Sequence, residues 1–205
     1  MKGFICLPKL FGEGEVVGFG EPNFYIKKID RSIAYDIIIR NHYAKKGDSL
    51  PHNKLNFGLF INEKLVGCLQ FGLAMNARSC SSIVKGTEMD EYFELNRMWI
   101  DDTAPRNTES RALSYCIKTI KKIAPKVNWI QSFADERCGK LGIVYQAANF
   151  QYFGFHTSIF WEIEGETYHN SRVTNGKRAI KYVLQSKMKD AKKFKLRQFR
   201  YIYIL

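Results

Sequence analysis

Apolar and polar positions along the chain follow two periods, one of two residues and one near 3.6, and together they predict an alternation of strands and helices. Phe24 to Ile29 reads as a strand. Asp30 is an N-cap residue for a helix running to about His42, with Ile33, Ile37 and Ile38 on one face. A polar loop, Lys45 to Lys54, holds Gly47, Asp48, Ser49 and Pro51 and is long enough for a lid or binding loop. Leu55 to Ile61 and Leu65 to Gly72 form a hairpin around Asn62-Glu63-Lys64. Met75 to Met89 has no clear period. The strand Glu94 to Ile100, the helix from about Thr108 to Ile123, the strand Val127 to Ala134 and the helix from about Gly139 to Asn149 follow. Strands near Tyr152 to Phe155, Ser158 to Ile163 and Thr167 to Arg172, a basic helix over about Gly176 to Lys189 and a strand from Leu196 to Ile204 complete the pattern. Gly12, Gly14, Gly18 and Gly20 crowd residues 1 to 22, which read as turns. Gly18-x-Gly20 lacks the strand and helix of a dinucleotide fingerprint.

With 205 residues, 45% of them hydrophobic, the chain can bury one substantial core. The expected organisation is one domain, residues 1–175, with a basic extension over 176–205 packed on it. No apolar run approaches the roughly 18–20 residues needed to span a bilayer. The apolar part of the N-terminus is too short for a secretory signal. A cytoplasmic protein without membrane contact is expected. Cys6, Cys68, Cys80, Cys116 and Cys138 form no C-x-x-C pair and no zinc pattern, so reduced, buried thiols are expected.

Charge changes the picture more than composition does. The net +12 is concentrated at one end: residues 172–205 hold eleven Lys or Arg and a single acid, Asp190, a net +10. A polyanion partner, nucleic acid first, follows from that excess. Lys187, Lys189, Lys192, Lys193 and Arg197 are the candidate phosphate contacts. Tyr182, Phe194, Phe199, Tyr201 and Tyr203 interleave with the bases and could stack nucleobases. The same aromatics could instead be the buried face of a closing strand, and the bases a solvated surface.

Candidate chemistry lies between Glu94 and Phe150. A strand breaks at Asp101-Asp102, turns at Pro105 and enters a helix through Arg106, Asn107, Ser110 and Arg111. Unpaired N–H groups at a helix start carry partial positive charge and hold phosphates, so this loop is the candidate cofactor site. Simple capping by Asn107 or Thr108 is the alternative. Arg97 sits mid-strand among apolar neighbours and needs a partner, either Glu94 or Asp101 or a ligand. Asp135 ends the next strand and is a candidate general base or substrate acceptor, or else a turn cap. Tyr145 on the following helix could be a core tyrosine. His42 is a candidate site residue or a helix C-terminal histidine. Cys138 lacks a partner base.

Four segments go further: Glu94-Leu95-Asn96-Arg97-Met98, Pro105-Arg106-Asn107-Thr108-Glu109-Ser110-Arg111-Ala112, Ser132-Phe133-Ala134-Asp135 and Ile143-Val144-Tyr145-Gln146-Ala147-Ala148-Asn149-Phe150. They closely resemble the bacteriophage Mom DNA-modification proteins, as do His42-Tyr43 and the Phe57–Gly72 hairpin. The element order is similar to that of the GCN5-related N-acetyltransferases (GNAT). The resemblance implies an α/β (α+β) fold with a GNAT-like mixed central sheet flanked by helices. It implies transfer of a carbamoylmethyl (acetamido) group to the N6 amine of adenine in DNA, inside a phage-infected bacterium, with protection from restriction. It implies acetyl-CoA or a related acyl-CoA as the cofactor, and Asp135, Tyr145, Arg97, Tyr43 and His42 as catalytic residues, with Tyr145 a proton donor, Tyr43 stacking on an extruded adenine and Asn149 reading it, since chemistry on a base requires taking it out of the stack. Glu109 and Arg111 stand where GNAT loops carry glycines, so side chains would replace backbone contacts to the pyrophosphate. The product joins adenine to a methyl carbon and adds an amide nitrogen, which leaves room for a redox-active metal such as iron. The sequence has no clear ligand cluster for one. A GNAT-type acetyltransferase of a protein or small-molecule amine, or a non-catalytic DNA-binding GNAT-like protein, are the competing readings.

Overall fold

The computed structural model describes residues 2–8, 15–42, 53–139, 141–175 and 178–205. The chain forms two compact units and crosses between them inside secondary-structure elements. One unit takes Met1–Ser132, Val144–Gln151 and Ile202–Leu205; the other takes Phe133–Ile143 and Tyr152–Tyr201.

In the first unit the strands lie in the order β1 (Gly3–Pro8), β2 (Glu15–Glu21), β3 (Phe24–Lys28), β4 (Asn53–Ile61), β5 (Lys64–Gly72), β6 (Tyr92–Ile100) and β7 (Trp129–Asp135). Neighbours are antiparallel as far as β6, and β6 pairs with β7 in parallel. Gly3–Pro8 and Glu15–Glu21 are therefore strands where turns were expected, while Gly12 and Gly14 lie outside the described residues. Gly18 explains the misreading: a Cβ there would stand 2.3 Å from the Ile26 carbonyl, so the glycine permits a close strand approach. The β4–β5 hairpin turns on two residues, Asn62 and Glu63, with φ of 48° and 65°. Two left-handed residues suit the twist of the flanking strands.

Helix α1 (Arg31–Asn41) buries Ala34 and Ile38 against Cys68, with Trp99 alongside. Its N-cap position is Asp30, whose side chain makes no cap bond. A short helix, α2 (Cys80–Ile83), interrupts the aperiodic stretch after β5. Helix α3 (Thr108–Ile123) buries Ala112, Leu113, Cys116, Ile117 and Ile120, a stripe at helical spacing. Each such aliphatic side chain contributes about 1.5–3 kcal/mol on burial. The buried thiols Cys68, Cys80 and Cys116 are free, and burial pushes Cys68 up to about 12.

Between β7 and β8 (Gln151–Ile163) the expected single helix is a 3-10 turn, Glu136–Cys138, and a short helix, α4 (Ile143–Ala147). Gly139 and Gly142, with φ of 64° and 69°, break it. In the second unit the strand order is β10-β8-β9, with β9 at Glu166–His169 and β10 at Lys192–Ile204. β8 is one strand of 13 residues where two were expected. Helices α5 (Asn170–Asn175) and α6 (Arg178–Ser186) follow β9, and Ile163, Val173 and Leu184 form their common core.

Candidate functional site

Strand β6 carries an extra residue. Gln70 pairs with Arg97 and Phe71 with Leu95, so Asn96 bulges out of the ladder. Its amide Nδ2 donates to the Leu73 carbonyl at 3.1 Å, tying the bulge to the end of β5. On the other side of β6 the parallel ladder to β7 consists of Tyr92–Trp129, Phe93–Ile130 and Glu94–Gln131. β6 runs six residues beyond it, to Ile100. A central strand that bulges on one side and outruns its parallel neighbour on the other frees backbone groups for a ligand.

Register places two polar rows side by side on one face of this sheet. Asn56, Gln70 and Arg97 form one, across β4, β5 and β6; Asn53, Gly72, Glu94 and Gln131 form the next, across β4 to β7. Residues two apart on a strand share a face, so both rows lie on the side that Cys68 presents to α1. Asn53 Nδ2 and Gln70 Nε2 both donate to Asn56 Oδ1, the latter at 3.0 Å. Gln131 Nε2 donates to Glu94 Oε2 at 2.8 Å. Arg97 is half-buried, and its Nη1 donates to the Asn96 carbonyl at 2.6 Å. His42, just past the end of α1, is buried; burial, then the charge of Arg97, lowers its pKa to about 4. It is a neutral imidazole at pH 7. Tyr43 lies outside the described residues.

At the start of α3 the Thr108 N–H donates to the Pro105 carbonyl at 3.3 Å, while Asn107 adopts φ 65° and its side chain makes no cap bond, so the next N–H groups, of Glu109 and Ser110, are open to a ligand. Arg106 is exposed beside them. Ser110 Oγ donates back to the Asn107 carbonyl at 3.2 Å. Arg111 is engaged elsewhere: it lies 3.9 Å over the Phe24 ring and donates to Glu21 at 2.8 Å and to the Tyr115 hydroxyl at 3.2 Å. Tyr145 on α4 is half-buried, with its ring 5.9 Å from Phe150. Asn149 is exposed in a left-handed conformation (φ 64°) that ends α4.

In the second unit, Asp135 is buried and caps the following 3-10 turn through the Arg137 N–H at 3.0 Å; Arg137 Nε donates to its other oxygen at 2.8 Å. His169 interacts electrostatically with both. Burial and Arg137 lower its pKa while Asp135 opposes them. The Ser171 N–H donates to His169 Nδ1 at 3.1 Å. Sequence reasoning did not single out Arg137 or His169, which stand 32 residues apart and share no motif. On β10, Lys193, Lys195 and Arg197 are exposed on the face that carries Phe199 and Tyr201. Arg197 lies 5.1 Å over Phe199 and 5.9 Å over Phe155, and donates to Glu136 at 2.9 Å. Lys187 pairs with Glu164 at 2.6 Å and Lys192 with Glu162 at 3.8 Å; Lys189 is exposed.

Among the described residues no group of three or more His, Cys, Asp or Glu could hold a metal ion, so no donor set supports iron. No described helix is long and apolar enough to cross a membrane.

The mixed sheet, the bulged central strand and the open helix start define a GNAT-like fold. Solved acetyltransferases share it. Ribosomal-protein-S5-alanine acetyltransferase from Vibrio fischeri superposes with a TM-score of 0.53 at 12% identity, covering 92% of this chain and 96% of its own. NAA60 from Arabidopsis thaliana, solved with acetyl-CoA, gives 0.55 at 9%, covering 89% and 99%. At those identities the likeness is one of fold. The sequence is narrower: residues 23–205 match the model of the Mom protein family, and the chain belongs to that family. It is 42% identical over 197 residues to the methylcarbamoylase Mom of Escherichia phage Mu, covering 94% of this chain and 80% of the relative.

Proposed function

We propose that this chain is a DNA-modifying transferase that places a carbamoylmethyl group on the N6 amine of adenine, shielding phage DNA from host restriction. The observation that carries the reading is the 42% identity, over nearly the whole chain, to a methylcarbamoylase. The exposed cations of β10, Lys193, Lys195 and Arg197, support DNA as the partner, since cations hold phosphates; Phe199 and Tyr201 on the same face are buried.

The start of α3 suits an acyl-CoA phosphate group: open N–H donors, an adjacent Arg106 and a favourable helix dipole. Asn107 and Ser110 complete that loop. Arg111 supports the loop through Glu21 and Phe24. When bound, the coenzyme supplies an activated two-carbon unit. Within the chain, neutral His42 can accept a proton, Arg97 can anchor an anionic group, Tyr145 can donate a proton, and Asp135 can act as a base or orient substrate. Tyr43 and Asn149 are the proposed stacking and reading residues for the extruded adenine.

Restriction digestion tests the reading. DNA from cells expressing the protein should resist endonucleases that contact adenine N6 in their sites. Full cleavage, with unmodified adenine in the digest, would overturn it.

A further inference from the structure

Five carboxamides meet on the sheet face beside α1: Asn53, Asn56, Gln70, Asn96 and Gln131. Four of them leave a carbonyl oxygen buried and, among the described residues, without a hydrogen-bond partner: Asn53 Oδ1, Gln70 Oε1, Asn96 Oδ1 and Gln131 Oε1. Ser132 Oγ is in the same condition. Gln70, Gln131 and Asn96 are 0%, 3% and 6% exposed.

An amide could relieve this by flipping. For Asn96 and Gln131 the network forbids it: their NH2 ends are spent on the Leu73 carbonyl and the Glu94 carboxylate, which only accept, so a flip would set oxygen against oxygen. Asn53 and Gln70 both donate to Asn56 Oδ1 and could reverse only together with it. Each unmet buried acceptor costs about 1–3 kcal/mol. A fold that gathers several in adjacent rows sacrifices stability there, as binding sites do. The half-buried Asn53, Glu94 and Arg97 are the members of the two rows that reach solvent.

The missing partner is thus a neutral group rich in N–H donors. Resting on the function proposed above, we infer that this cluster seats the amine that is modified: the two N6 hydrogens of adenine donate to the unpartnered oxygens of Asn96 and Gln131. A base with a carbonyl at that position would meet only acceptors and be rejected. Donation from both hydrogens also raises electron density on the nitrogen that must attack. The cluster is therefore a specificity and positioning site, distinct from the phosphate-binding start of α3.

The test compares binding of single-stranded oligonucleotides that differ at one base, adenine or purine (the same ring without the amine). It uses the full chain, as wild type, Asn96→Leu and Gln131→Met. Leucine and methionine keep the volume and remove the acceptor. A site built to bond an N–H discriminates strongly against the analogue lacking it. Wild type should prefer adenine about tenfold or more, the amount expected for one or two hydrogen bonds. Each variant should lose that preference and keep its affinity for the purine strand. Retained preference in both variants, or affinity lost for both strands alike, would overturn the inference by marking the amides as structural. A wild type that modifies adenine in DNA yet shows no preference would sink this inference alone. Absence of any adenine adduct would sink the proposed function instead.

Discussion

His42 is buried beside a cation, and both facts oppose its protonation. Its folded pKa of about 4 lies below the ordinary 6.5, so the unfolded chain binds a proton that the folded chain refuses. Stability from this group is complete above pH 6.5 and falls as the pH drops toward 4. Urea unfolding at pH 7 and pH 5 should show a smaller acid loss for His42→Gln than for wild type; equal losses would place the imidazole in solvent. Asp135 serves as both cap and ion-pair partner. Asp135→Asn keeps an acceptor for the turn but removes the charge facing Arg137, and should cost about 1–3 kcal/mol while leaving a folded protein. Among these residues, Asp135, Arg97 and His42 were legible because a polar residue interrupts an apolar run or ends an element. The carboxamides were not. Each sits between an aliphatic residue and a neighbour in a separate strand (Leu55-Asn56-Phe57, Leu69-Gln70-Phe71, Leu95-Asn96-Arg97, Ile130-Gln131-Ser132), and only strand register makes them neighbours.

At the scale of elements, the helix over Thr108–Ile123 was readable to the residue, because its apolar stripe and its flanking proline turn agree. The two N-terminal strands were not, because four glycines mimic turns. The helix after Asp135 was overestimated because glycines in the left-handed region stop it. Gly142 marks the strictest of these: a Cβ would stand 2.3 Å from the Tyr201 ring. Gly142→Ala should lower the midpoint of thermal unfolding by several degrees, roughly what 1–3 kcal/mol of overpacking gives. The start of α3 separates two arginines that look alike in sequence. Arg106→Ala should weaken acetyl-CoA binding about tenfold, as loss of a charge-assisted hydrogen bond does. Arg111→Ala should instead lower stability by about 1 kcal/mol through its lost stack on Phe24. Calorimetric titration beside thermal unfolding distinguishes them, and an equal loss of affinity in both would return Arg111 to the phosphate site.

For the whole molecule, the charge excess in residues 172–205 supplies a long-range attraction that no single contact does. Lys187 and Lys192 face Glu164 and Glu162, so reversing them would create like-charge pairs. Neutral Gln at those two and Glu at Lys189 and Lys193 is the cleaner variant. The slope of log K against log salt for duplex DNA should become shallower by about 0.9 for each phosphate contact removed. An unchanged slope would leave these lysines as a solvated face. The four-segment resemblance made the family readable before any coordinates, because it is a property of contiguous sequence. Mass analysis of nucleosides from DNA of cells expressing wild type or Asp135→Asn tests the central claim most directly. The account predicts an N6-carbamoylmethyl adduct of deoxyadenosine with wild type and its loss with Asp135→Asn. Unmodified adenine beside a newly acetylated protein, or an adduct at wild-type level from Asp135→Asn, would contradict it.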